Sequence, residues 1–258
     1  MSAATSISES TTGLKISFAG AEKRFGALVA LRRLSLEIAS GEFVVLVGPN
    51  GSGKTTLLRL AALLSRPTAG KVSVGRPGGA ASTGAAFKSR IGMIGHATML
   101  YDELTAEENL AFFARLYNLS EPRRRAAEAL EPAGLADRAR DLVRTFSRGM
   151  RQRLAIARAL LAGPTLLLLD EPAAGLDRDG AAWLAGTLAA LRAAGATIVI
   201  SSHGQSESLA LATRAIEMRG GVVVADSATG NDLRSIIQRG AGAFSNAGSS
   251  IGSTAERN

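Results

Sequence analysis

The stretch Gly48-Pro49-Asn50-Gly51-Ser52-Gly53-Lys54-Thr55-Thr56 constrains the fold most, because it joins an apolar run, Phe43 to Val47, to a segment of helical apolar spacing. Glycine, four residues, then Gly-Lys-Thr is the pattern of a phosphate-binding loop, and each part has a task on a nucleoside triphosphate. Glycines at 48, 51 and 53 let the backbone wrap the phosphates with its N–H groups inward, and a helix starting near Gly53 adds the positive end of its dipole. Lys54 supplies a point charge to the β and γ phosphates, and the Thr55 hydroxyl a ligand for Mg²⁺. Leu57, Ala61 and Leu64 continue as one helical stripe facing a sheet. Strand, loop and helix in that order predict an α/β fold.

At 258 residues and 46% hydrophobic content the chain can bury a real core, as one large domain or as a core with a small insertion. Cysteine is absent, which removes disulfides, Fe–S ligation and zinc thiolates, so any metal would be held by oxygen or histidine. The apolar run Leu160 to Leu169 is broken by Gly163-Pro164 and falls well short of the roughly 20 residues that span a bilayer, so no transmembrane segment is expected. Met1 to Thr12 is rich in Ser and Thr without a basic apolar leader, so a disordered arm is expected there and not a secretory signal. A net charge of +8 and a pI near 10.7 fit an anionic partner, nucleic acid or phospholipid, and equally a solvated arginine-rich face. Aromatics make up 4% and are not interleaved with basic residues, so no specific nucleic-acid partner is expected.

From Leu14 to Val47 the pattern is strand-like, with turns at Ala19-Gly20 and Ser40-Gly41, and reads as antiparallel sheet leading into the core strand. Phe25 within it either stacks on a base or fills the core. Lys71 to Val74 and Arg90 to Ile94 are short strands on either side of a loop rich in Gly, Ala and Ser. Thr105 with Glu108 forms a capping box, and Leu110, Phe113, Ala114 and Tyr117 follow at helical spacing. Helical pieces over Arg123 to Leu130 and Leu135 to Val143 complete a block, about 104–146, that reads as an all-helical insertion.

Ser147-Arg148-Gly149-Met150 opens a helix to about Leu161, and the apolar strand Thr165 to Leu169 is followed by Asp170 and Glu171. Adjacent carboxylates at the carboxyl end of a parallel strand sit where open α/β sheets place their chemistry. Asp170 is then placed to hold Mg²⁺ and Glu171 to polarise an attacking water, the plainer alternative being acidic residues that cap a turn. After Gly175-Leu176-Asp177, a helix through Leu184, Leu188 and Leu191 leads to a strand Thr197 to Ile200, and Ser201-Ser202-His203 leaves it at the sheet edge that carries Asp170. Ala215 to Met218 and Val222 to Val224 read as a closing hairpin, and residues 240–258 as a disordered tail after a 13–239 domain.

A phosphate loop, a Ser-x-Gly-x-x-Gln-Arg helix start, a strand ending Asp-Glu and the later His203 occur in that order, and together they resemble the ATP-binding cassette (ABC) ATPases over about Leu14 to Val224. The resemblance implies a P-loop NTPase with an antiparallel β subdomain and an inserted helical subdomain, binding ATP and Mg²⁺. It implies head-to-tail pairing with a second ATPase subunit, a homodimer, in which Ser147 and Gly149 face the γ-phosphate held by the partner. A helix start with a hydroxyl, free N–H groups and a dipole suits that task. By matching position Glu171 resembles the catalytic carboxylate, His203 the switch residue at the γ-phosphate, Asp177 the residue of the loop that touches the partner cassette, and Phe25 the adenine-stacking aromatic. Catalysis would be in-line attack of water, with Mg²⁺, Lys54 and helix ends stabilising the transferring phosphoryl group.

Arg148 and Met150 depart from the glycine and glutamine of the family's signature, and His96 stands where the family has a glutamine that contacts Mg²⁺ or water. The segment Ile94-Gly95-His96-Ala97-Thr98-Met99-Leu100-Tyr101, with Leu104 to Leu110, looks most like the haem-exporter cassettes of cytochrome c biogenesis. The resemblance implies the energy-supplying subunit of an exporter, at the cytoplasmic face of the cell membrane, with an integral-membrane permease on a separate chain docking at the helical insertion. The competing classes are a soluble ABC ATPase, such as one of Fe–S cluster assembly, and the ATPase of a drug or polysaccharide exporter.

Overall fold

Three strands, Phe43–Val47, Leu166–Asp170 and Thr197–Ser201, are buried at every position, and a strand buried on both faces belongs in a parallel sheet with a layer on either side. The computed structural model describes residues 13–78, 85–95, 97–202 and 207–242. Its elements are β1 (Lys15–Phe25), β2 (Leu28–Ile38), β3 (Phe43–Val47), α1 (Lys54–Ala61), β4 (Ala69–Gly75), α2 (Ala85–Lys88), β5 (Ile91–Ile94), α3 (Ala106–Leu116), α4 (Pro122–Leu130), α5 (Arg148–Leu160), β6 (Leu166–Asp170), α6 (Arg178–Ala193), β7 (Thr197–Ser201), β8 (Arg214–Arg219), β9 (Val222–Asp226) and α7 (Leu233–Gly242).

The six-stranded sheet runs β5-β6-β7-β3-β8-β9, parallel except where β9 returns antiparallel to β8. A separate antiparallel sheet has the order β2-β1-β4. Alternation along the core strands sends Val44, Leu46, Leu166, Leu168 and Val199 to one face, where α1 and the antiparallel sheet cover them with Leu57, Leu60, Ile16 and Phe18. Their neighbours Val45, Leu167, Leu169, Ile198 and Ile200 face α5, α6 and α7 through Ile156, Leu184, Leu188 and Ile236. The helices of the block build a third core of their own, around Leu110, Leu130, Leu135, Phe146 and Leu154.

Four local expectations change. Leu135 to Val143 is not a helix but two 3₁₀ turns, Ala136–Arg138 and Val143–Thr145. Its carbonyls are already engaged, since Ala106 N–H donates to Asp141 O (3.2 Å) and Glu107 N–H to Ala139 O (2.9 Å), closing the open first turn of α3. Leu64 is not on the buried stripe of α1: the helix stops at Ala61, Leu63 takes φ 58°, and Leu64 is left exposed. Ala19-Gly20 is a bulge within β1, and the chain reverses at Gly26-Ala27 between β1 and β2. Finally, α7 runs on to Gly242, past the Gly240 at which a tail is expected from sequence. The capping box forms as expected, with Glu108 N–H on Thr105 Oγ1 (3.2 Å) and Thr105 N–H on Glu108 Oε2 (2.9 Å).

Candidate active site

Parallel pairing carries the site residues to one edge of the sheet. In β3, Leu46 lies opposite Ser201 of β7, and Ser201 lies opposite Asp170 of β6. The row Leu46, Ser201, Asp170 therefore marks one level across three strands, and the phosphate loop leaves β3 immediately above it. This is the carboxyl end of the strands, the binding edge of open α/β sheets.

The loop has little room for side chains. At Gly48 φ is 140° and a Cβ would stand 2.1 Å from Met218 O, while at Gly53, with φ 105°, it would stand 2.7 Å from Ala30 O. Only glycine fits either position. Gly53 is the N-cap of α1 and brings no side chain to the helix start, so the first N–H groups of the helix keep their capacity for an anion. Pro49 and Asn50 are exposed, Ser52 is buried, and Thr56 is half-buried on the first turn of α1. Lys54 is buried, and its ammonium donates to Gly48 O (2.7 Å) and Pro49 O (3.0 Å) across the loop. Burial pushes its pKa below the usual lysine value, opposed by the charges of Glu171 and Asp170. A phosphate in the loop would meet an ammonium whose hydrogen bonds go to loop carbonyls, with the Asp170 and Glu171 charges near it.

Thr55 Oγ1 donates to Asp170 Oδ2 (2.7 Å), and Ser201 Oγ donates to Asp170 Oδ1 (2.6 Å). The Ser201 hydroxyl also accepts from Glu171 N–H (3.1 Å). Ser201, wholly buried, thus fixes both carboxylate-bearing residues. Motif reading assigns Ser201 no role, although its place at the end of a buried strand, beside His203, is the signal that could have found it. Thr55 and Asp170 put two hard oxygen ligands side by side at the mouth of the loop, which fits Mg²⁺ completed by phosphate oxygens and water. Among the described residues no group of three or more His, Cys, Asp or Glu side chains could hold a metal without such help. Glu171 adopts φ 52°, a left-handed conformation that costs a non-glycine residue about 1 kcal/mol. A cleft of about 180 Å³ separates Asp170 and Glu171 from Arg148, Arg151 and Gln152 on α5.

Phe25 is 52% exposed at the tip of the β1–β2 hairpin, with the Lys23 ammonium 5.1 Å from its ring centre, which removes the core alternative and leaves a face open for stacking. Ser147 caps α5, its Oγ accepting from Met150 N–H (3.2 Å). Gly149 lies so close to the loop after β6 that a Cβ would stand 2.9 Å from Gly175 O. Asp177 caps α6 through Gly180 N–H (2.9 Å) and is ion-paired to Arg153. That hydrogen bond from Arg153, helped by the Gly180 N–H, holds its carboxyl below the usual range. The structure thus brings Lys54, Thr55, Asp170 and Glu171 together, and sets Ser147, Gly149 and Asp177 on the next surface. His96 and His203 lie outside the described residues.

A phosphate loop with an acidic pair two strands along the parallel sheet defines a P-loop nucleoside triphosphatase. The family model described as ABC transporter matches residues 31–174, and the chain belongs to that family. The daunorubicin resistance ATP-binding protein DrrA3 of Streptomyces coeruleorubidus is 38% identical over 232 residues, spanning 86% of this chain and 73% of that protein. The linearmycin resistance ATP-binding protein LnrL of Bacillus subtilis is 37% identical over 188 residues, spanning 72% of this chain but only 60% of that protein. Among solved structures, a dimeric post-hydrolysis ATP-binding cassette bound to ADP and Pi shares 28% identity at a TM-score of 0.69, covering 83% of this chain and 97% of that one. The protein is therefore an ATP-binding, ATP-hydrolysing subunit of an ABC transporter, a class whose cassettes act as dimers with a separate membrane permease. Among the described residues no helix is long and apolar enough to cross a membrane.

Proposed function

We propose that the chain powers export of an amphipathic small molecule, working at the cytoplasmic face of the cell membrane beneath its permease. The observation that carries this reading is the match to a drug-resistance ATP-binding protein over 86% of the chain. Phe25 stacks on the adenine, and the loop N–H groups and Lys54 hold the phosphates. Mg²⁺, held by Thr55 and Asp170, would supply positive charge to the β and γ phosphate oxygens. Glu171 orients and deprotonates the attacking water, and His203 contacts the γ-phosphate. Ser147 and Gly149 of the second copy close the site with the helix end of α5. The test is drug accumulation in a sensitive host expressing the chain with its permease: wild type should lower intracellular anthracycline, and Lys54→Ala should not. Equal protection by Lys54→Ala would end the reading.

A second reading, haem export in cytochrome c biogenesis, rests on the segment Ile94 to Tyr101 with Leu104 to Leu110. Relatives named for drug resistance and Nod factor export weigh against it. Rescue of a cytochrome c maturation-deficient strain by wild type and not by Lys54→Ala would favour it.

A further inference from the structure

Phe25 is 52% exposed and joins none of the three apolar cores, so packing does not fix its ring. What the ring does have is a cation: the Lys23 ammonium lies 5.1 Å from its centre. Lys23 is half-buried, and the same ammonium donates to Arg66 O (2.8 Å) in the segment that follows α1. Two more bonds fasten the hairpin tip to that segment, Thr68 N–H to Glu22 O (2.7 Å) and Arg24 N–H to Thr68 Oγ1 (3.1 Å). Glu22, the acid next to Lys23 in sequence, is ion-paired to Arg24 instead. The negative face of the Phe25 ring is therefore the surface that answers the Lys23 charge.

We propose that Lys23 is a positioning residue for the purine base of the nucleotide: anchored on Arg66 O, its ammonium holds one face of the Phe25 ring and presents the other face to the base. The proposal rests on the reading of Phe25 as the adenine-stacking residue and adds what orients it. An exposed ring that no core holds would lose rotamer freedom on taking a base, and a ring already set loses less. A cation on one face also offsets the negative charge that two π faces turn toward each other in a stack. The anchor has a second consequence. Arg66 follows the helix that Lys54 begins, so the seat of the base and the loop that holds the phosphates are tied to the same short stretch of chain.

The test measures binding of ATP and of inorganic tripolyphosphate to the full chain by isothermal titration, in EDTA so that nothing is hydrolysed. Lys23→Met should weaken ATP about two- to fivefold, with tripolyphosphate held within about 1.5-fold, and Lys23→Arg, which keeps the charge, should restore ATP binding. In a Phe25→Ala background Lys23→Met should change ATP affinity by less than about 1.5-fold, because the ring it acts through is gone. Should Lys23→Met not fold, Lys23→Gln, which keeps a donor for Arg66 O, is read against the same limits. Unchanged or tighter ATP binding by the neutral variant overturns the proposal, the tighter case meaning that Lys23 covers the face a base needs. An equal loss for tripolyphosphate, an equal loss without the Phe25 ring, or no restoration by Lys23→Arg overturns it as well. Phe25→Ala alone should weaken ATP about fivefold or more. If it binds ATP as wild type does, the stacking reading itself falls; if it loses affinity and Lys23→Met does not, only the role of Lys23 falls.

Discussion

Ser201→Ala removes a hydroxyl that donates to Asp170 Oδ1 at 2.6 Å and accepts from Glu171 N–H at 3.1 Å. A hydrogen bond to a carboxylate contributes about 1.5–3 kcal/mol and a neutral one about 0.5–1.5 kcal/mol. The second is worth the lower figure here, because Glu171 N–H also reaches Ser201 O (3.3 Å) and is not orphaned by the change. Ser201 is wholly buried and Asp170 is 3% exposed, so water does not readily replace the lost donor. The expected loss of stability is about 2–3 kcal/mol, read by urea unfolding of the nucleotide-free protein. Asp170 keeps its Thr55 partner on the other oxygen, so ATP still binds, but the carboxylate and the backbone of Glu171 are both held less firmly. A fall in kcat of about tenfold, roughly 1.4 kcal/mol of transition-state stabilisation, is expected in a steady-state ATPase assay. Combined with Asp170→Asn, the two stability losses should fall short of their sum by about 1 kcal/mol, since both remove the same bond. A Ser201→Ala protein with unchanged stability and turnover, or strictly additive losses, would refute the role assigned to this hydroxyl.

Glu171→Gln should bind ATP and lose turnover, accumulating a nucleotide-loaded dimer on size-exclusion chromatography; turnover at the wild-type rate would remove Glu171 as the base. Gly48→Ala would set a methyl 2.1 Å from Met218 O in a backbone conformation that L residues avoid, so isothermal titration should show lost ATP binding, with unfolding shifted by about 1–3 kcal/mol. Burial alone would raise the Asp226 carboxyl, but hydrogen bonds from Arg214 and Ala228 N–H, with the Arg214 charge, outweigh it and hold the group below 3.8. A depressed carboxyl stabilises the fold fully above its unfolded value and loses that contribution as pH falls through the folded one. The stability gap between wild type and Asp226→Asn should therefore hold near pH 5–7 and shrink below about pH 3.8 in urea titrations; a gap that widened on acidification would contradict it.

What the sequence makes legible here is what depends on residues close together in the chain. The phosphate loop, the capping box at Thr105 and the Asp170-Glu171 pair each need only their neighbours and a strand or helix beside them. Leu135 to Val143 is misread because its carbonyls close the start of α3, a contact across thirty-odd residues that apolar spacing cannot report. Leu64 is misread for a related reason, since the left-handed Leu63 turns the chain out of the helix before the stripe is complete. The helix α7 carries a usable signal in Leu233, Ile236 and Ile237 at helical spacing. Ser201 carries only the weak signal of its place at the end of a buried strand, because its importance comes from the Asp170 that lies opposite it in the fold.

The residues that resemblance assigns to the partner-facing surface all hold local structure as well. Ser147 caps α5, Asp177 caps α6, and three ties fasten α5 to the loop that follows Glu171: Gln152 Nε2 to Pro172 O (2.9 Å), Arg153 to Asp177, and Gly149 against Gly175. Helix α5 therefore cannot shift without carrying that loop. In the head-to-tail dimer proposed above, the start of α5 would meet the phosphates of the other copy, and a contact made there would bear on the setting of Glu171 in its own chain. On that proposal, substitutions at Ser147, Gly149 or Asp177 are expected to act on the partner's site and on the chain's own Glu171 together. Lost turnover after such a change does not by itself assign the residue to either site; mixed dimers with one altered copy separate the two.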